Sequence, residues 1–154
     1  MRSEVTSDKP LDFAPIVAQI VDRLEADEML LYGPPPDNFF DSFKPHRSLE
    51  IEAFQETLIG GERPAPSDLV VSINHLHKSG MLKIEDVLDE LRRLVTHTGF
   101  FHVRMPQYGD PEEIDAFIPK PMEWWIAQFI KRFDLATFQR VPGGFYVIVY
   151  PRMH

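Results

Sequence analysis

Two histidines stand two residues apart in "INHLHK", His75 and His77. In extended chain both would face the same side, and two imidazoles on one face are the start of a metal site. A third ligand would have to come from elsewhere, and His102 and Asp37 are residues of the right type. Two histidines alone are not a site, and a polar loop at a strand end explains them equally well. Taken singly, His77 has the titration range of a general base, but no orienting partner is visible beside it. The second stretch with chemical character is "MLLYGPPPDN". An apolar run that ends in glycine commonly opens a loop that wraps a phosphate or nucleotide with backbone N–H groups. Here Pro34, Pro35 and Pro36 follow Gly33, and proline has no N–H to offer.

The elements that must position these residues are legible from periodicity. Ile16, Val17, Ile20, Val21 and Leu24, led by Leu11, form one apolar stripe and predict a helix from Asp12 to near Asp27. Asp12 can cap its start, and Pro15 falls in the first turn. "MLLY" (29–32) is a short continuous apolar run and predicts a buried strand. "LEIEAF" (49–54) alternates and predicts a strand with one wet face, and "DLVVSIN" (68–74) is strongly strand-like. "KIEDVLDELRRLV" (83–95) is an amphipathic helix, with Gly99 as a stop before the strand "FFHVRM" (100–105). Acids early and bases late on its outer face, from Glu85, Asp86, Asp89 and Glu90 to Arg92 and Arg93, suit the helix dipole and predict a solvated surface without function. "PMEWWIAQFIKRF" (121–133) is a third helix, with Met122, Trp125, Ile126, Phe129, Ile130 and Phe133 inward and Trp124 pointing partly away. "LATFQRV" and "FYVIVYP" around "PGG" predict a terminal hairpin that adds an antiparallel edge strand. Strands alternating with helices imply an α/β fold, a mostly parallel sheet covered on both faces. Its ligands would bind at the strand carboxyl ends, after Tyr32, Phe54 and Asn74.

Composition narrows the partners. The formal charge of −8 speaks against a nucleic-acid backbone or an anionic membrane as partner, and leaves a protein or a small molecule. The absence of cysteine removes disulfides and thiolate metal sites and fits a cytoplasmic setting. No apolar run reaches the roughly 20 residues that span a bilayer, and "MRSEVTSDKP" lacks the apolar core of a signal peptide. The expected layout is a flexible N-terminus over residues 1–10 and one domain over 11–154. Phe39, Phe40 and Phe43 in the proline-rich loop are expected to plug a crevice from within, lid it, or meet a partner. Trp124, with Phe117 and Ile118 before it, is either covered by the preceding loop or part of a contact patch. "FKPHR" (43–47) is a local basic spot, too slight to define a site.

In order and spacing the chain resembles the class I S-adenosylmethionine-dependent methyltransferases over most of residues 11–151. "DLVVSINHLHKSGMLKIEDVLDELRRLVTHTGFFHVRM" looks like that family's central strand, strand-end loop, helix and next strand. "KPMEWWIAQFIKRF" looks like the late helix of short methyltransferase-like proteins, many of them phage-encoded, and "LATFQRVPGGFYVIVY" like the closing hairpin. The resemblance implies a Rossmann-like three-layer sandwich with a trimmed N-terminal half. It also implies a cofactor site lined by Tyr32, Gly33, Gln55 or Glu56, and Asn74, with His77 facing the methyl acceptor. Against the family pattern, Leu31 stands where an acid is usual, the three prolines replace the rest of the glycine-rich turn, Gln55 carries no charge for the ribose hydroxyls, and Leu76 takes another acidic place. The expectation is a degenerate member, a non-catalytic binding or structural module that holds no cofactor. The alternative is an active methyltransferase that binds S-adenosylmethionine, and a third reading is a metal-dependent enzyme using His75 and His77.

Overall fold

A computed structural model of the chain describes residues 12–37, 39–43, 50–54, 64–78, 83–105 and 120–152. The expectations for residues 1–10, for Gln55 and Glu56, for residues 44–47 of the basic spot, and for Phe117 and Ile118 lie outside the described residues. Helix α1 spans Ala14–Leu24, strand β1 Glu28–Tyr32, β2 Glu50–Phe54, β3 Ser67–Ser72, helix α2 Ile84–Leu94, β4 Val95–Arg104, helix α3 Met122–Arg132, β5 Phe133–Val141 and β6 Gly144–Pro151. Short 3-10 turns cover Phe39–Phe43 and Leu76–Lys78.

The strands form one sheet in the order β2-β1-β3-β4-β6-β5. β2, β1, β3 and β4 pair parallel, while β6 runs antiparallel to both β4 and β5. The chain leaves β1 toward β2 on one side and then crosses to β3 on the other. The topological switch point therefore lies between β1 and β3, where ligands of open α/β sheets usually bind.

Helix α1 covers one face through Val17, Ile20 and Val21, packed with Met29, Leu31, Leu69, Val71 and Phe100. Its Asp12 carboxylate accepts the Ala14 N–H at 3.1 Å, which satisfies one orphan donor of the first turn. Pro15 sits within that turn, and Glu25 closes the helix in the left-handed region at φ 55°. Helices α2 and α3 cover the opposite face around Leu88, Leu91, Trp125 and Phe129. The molecule is thus an α/β three-layer sandwich.

Several expectations change in detail. Gly99 does not stop a helix: α2 ends at Leu94 and the chain enters β4 directly at Val95. The β-branched Val95, Thr96 and Thr98 favour extended chain. Gly99 is needed inside the strand because a Cβ there would come within 2.8 Å of the Phe101 ring and 2.9 Å of Val149. The hairpin does add an antiparallel edge strand, and it is β5 that forms the edge, since β6 inserts between β4 and β5. Ile130 is 45% exposed rather than inward. Glu90 belongs to no solvated face. It is buried, and Arg93 donates to both its carboxylate oxygens, at 3.0 and 2.6 Å, and to the Pro64 carbonyl at 2.8 Å. Asp89 is likewise engaged, accepting from Arg132 Nε of α3 at 2.7 Å.

Candidate functional site at the switch point

The switch point is bounded by the residue after β1 and by the loop after β3. Ser72, the last residue of β3, donates its hydroxyl to the Tyr32 carbonyl at 3.0 Å and ties the two strand ends together. Tyr32 is buried in the core on the α2–α3 face. Gly33 follows with φ +95°, a conformation that side chains other than glycine rarely adopt. A Cβ at Gly33 would overlap the His75 ring, whose Cβ and Cδ2 lie 2.8 Å from that point. The same ring meets Tyr32 edge-on, with centroids 4.9 Å apart. The open side of Gly33 is therefore taken by a side chain of the molecule itself.

Beyond His75 the site turns inward. Asn74 is exposed, with φ +56°, and its N–H donates to His102 Nδ1 at 3.1 Å. This bond makes Nδ1 the acceptor and leaves the proton of the neutral imidazole on Nε2. His102 is buried, its ring tilted against that of Phe13 with centroids 4.7 Å apart, and burial followed by the charge of Arg104 pushes its pKa down to about 4. His77 is 1% exposed in the 3-10 turn. Burial lowers its pKa to about 3, with further lowering from Lys78, His102, Arg104 and His75. Both imidazoles are neutral at pH 7, and a base with a pKa near 3 is a weak proton acceptor there.

Of the residues singled out from sequence, Tyr32 and Gly33 come together with His75, Asn74 joins His102, and His77 is buried in the 3-10 turn that follows. β2 ends at Phe54, in register with Tyr32, so the carboxyl ends of β1 and β2 are neighbours as expected. Among the described residues no three His, Asp or Glu side chains group closely enough to hold a metal ion. Phe39 is buried in the core beside α1, with Phe40 edge-on at 5.2 Å. Trp124 is partly buried against Trp125, and Lys120 Nζ stands 5.9 Å above its ring. The residues that sequence reading did not single out are Ser72 and Phe13. A serine closing an apolar strand is a weak signal, and Phe13 lies just before the helical stripe.

The fold has relatives among solved structures. The CurJ carbon methyltransferase superposes with a TM-score of 0.65 at 11% identity, over 91% of this chain and 54% of that one. PigF in complex with S-adenosylhomocysteine gives 0.65 at 10% identity, over 93% of this chain and 62% of that one. The N-methyltransferase NodS from Bradyrhizobium japonicum WM9, also with S-adenosylhomocysteine, gives 0.60 at 11% identity, over 96% and 91%. The chain has a class I methyltransferase-like fold. It spans between half and two thirds of the length of CurJ and PigF. No family model matches the sequence, and no curated protein matches it. Among the described residues no helix is long and apolar enough to cross a membrane.

The residues present can be tested against the cofactor of such folds. A glycine turn that serves S-adenosylmethionine leaves space above the glycine and presents N–H donors. Here the space above Gly33 holds His75, and the next three residues are prolines. This turn offers neither that space nor those donors.

Proposed function

We propose that this chain is a non-catalytic relative of the class I methyltransferases, in which the cofactor crevice is filled from within and the fold serves as a binding module. The single observation that carries this reading is the His75 ring packed on Gly33 and Tyr32 at the switch point. The donor-free run Pro34–Pro36 and the depressed basicity of His77 support it. The partner is a protein or a small molecule. The charge of −8 disfavours nucleic acid and anionic membrane, and the lack of cysteine fits the cytoplasm.

A second reading is kept alive by the structural neighbours, among them PigF and NodS with S-adenosylhomocysteine. In it the chain is an active methyltransferase. Tyr32, Gly33, Gln55 or Glu56, and Asn74 line S-adenosylmethionine, and His77 faces an acceptor. Methyl transfer depends mostly on holding two reactants in line, so a weak base does not exclude it. Titration calorimetry with S-adenosylhomocysteine separates the two. The first reading expects no saturable heat and no rise in melting temperature. Saturable binding with thermal stabilisation, which a ligand of the native state must produce, establishes the second.

A further inference from the structure

A groove of about 300 Å³ lies on the α1 face, far along the sheet from Gly33, between the carboxyl half of α1 and the hairpin. Its floor is apolar, formed by Ile20, Leu24 and Ile148, and the Tyr150 ring, 42% exposed, makes one wall. Its rim carries Arg23 and His97. His97 Nδ1 is 2.8 Å from the Thr98 hydroxyl, and its ring meets Tyr150 edge-on, with centroids 6.2 Å apart. Among the described residues no carboxylate lines the groove, although the protein as a whole carries a charge of −8. Arg23 is exposed and forms no ion pair among the described residues. The nearest acid in the sheet register is Asp134, opposite Tyr150, and Arg152 approaches its carboxylate at 3.8 Å. The carboxyl end of α1 and the exposed Asp22 and Glu25 that flank Arg23 oppose an anion nearby, while within the groove's own lining Arg23 is the charge that attracts one.

We propose that this groove is a binding site for a small monocarboxylate with an aromatic or branched body. The ring or branch lies on Ile20, Leu24 and Ile148 beside Tyr150, and the carboxylate faces Arg23, whose planar fork matches it. The volume is at the lower end for small-ligand pockets and admits one ring and a short chain. The site is separate from the switch point and does not depend on whether the crevice at Gly33 is filled.

The test is a ¹H–¹⁵N correlation titration of the full chain with 3-phenylpropionate, and with 3-phenylpropanamide as the uncharged isostere. The expected result is saturable shifts confined to α1, the start of β4 and the hairpin, at least tenfold weaker for the amide. Arg23→Gln, at an exposed position, weakens the carboxylate about tenfold and leaves the amide unchanged. Thr137→Phe fills the groove from an exposed β5 position that tolerates an aromatic, and abolishes saturation by both probes. Equal affinity for acid and amide, shifts centred elsewhere, no saturation in the millimolar range, or unaltered binding in both variants would overturn the proposal.

Discussion

The two faces of the sheet are built to different standards. On one face α2 and α3 seal a continuous core in which Leu88, Phe101, Phe129, Phe145 and Val147 are 0% exposed. Buried Arg132 ties α3 to α2 through Asp89, while the Gln128 side chain of its own helix holds the guanidinium in place. On the other face, among the described residues, α1 covers β1, β3 and β4 with help from Phe39 of the 3-10 turn. Across the hairpin that face stays partly open, with Tyr146 and Ile148 half-buried and Thr137, Gln139 and Tyr150 exposed. Within this second face the ends differ too: the amino end of α1 is closed by Phe13 over His102, while its carboxyl end opens on the groove. The lesson is a division of labour. The α2–α3 face is sealed, and the α1 face leaves surface uncovered along the hairpin.

The largest test of that division is a matched pair of truncations. Phe129→Ala removes a fully buried ring and is expected to cost about 3–5 kcal/mol in urea unfolding. Ile148→Ala on the open face is expected to cost about 1 kcal/mol or less. Equal losses would break the comparison. Next in size is the response to acid. His77 and His102 stay neutral in the folded chain down to about pH 3 and 4, whereas in the unfolded chain they protonate near 6.5. Below pH 6.5 the unfolded state therefore binds more protons, and stability falls as pH drops from 6.5 toward 4, reaching about 2.7 kcal/mol per pH unit for two such groups. His102→Gln, which keeps an acceptor for the Asn74 N–H, is expected to halve that slope. A stability flat across this range would mean that the closed end of α1 is wetter than its burial indicates.

A smaller effect sharpens the picture of the switch point. Gly33→Ala is expected to cost about 1–3 kcal/mol, since it combines a positive φ with a clash against the His75 ring. In Gly33→Ala with His75→Ala the clash is gone and only the φ term remains, so the double variant is less destabilised than the sum of the two. Strict additivity would show that His75 does not rest on Gly33. Arg132→Met is expected to cost about 1–2 kcal/mol in urea unfolding. Its apolar stem still packs, and the Asp89 it releases is 63% exposed.

Much of the fold was readable because periodicity reports burial directly. The stripe Val17, Ile20 and Val21 is the buried side of α1, and Ile84, Val87, Leu88, Leu91 and Leu94 are that of α2. What escaped reading depended on neighbours distant in sequence. Gly99 has the composition of a stop and the surroundings of a strand, because Phe101 and Val149 press on it. Glu90 has the charge of a surface residue, yet Arg93 carries it inside. The insertion of β6 beside β4 is a pairing choice that no local pattern encodes. At the candidate site the donor-poor turn after Gly33 was visible in three prolines. The role of His75 was not, because its ring reaches Gly33 across the space between the ends of two strands, Tyr32 and Ser72, that lie 40 residues apart in the chain.

The central claim is that the molecule itself occupies the place beside Gly33. The most direct measurement follows the Gly33 amide resonance of the wild-type chain as S-adenosylhomocysteine is added to millimolar concentration. The account predicts that the resonance does not move. A saturable shift of that amide, with the signals of the His75 ring displaced alongside it, would contradict the account.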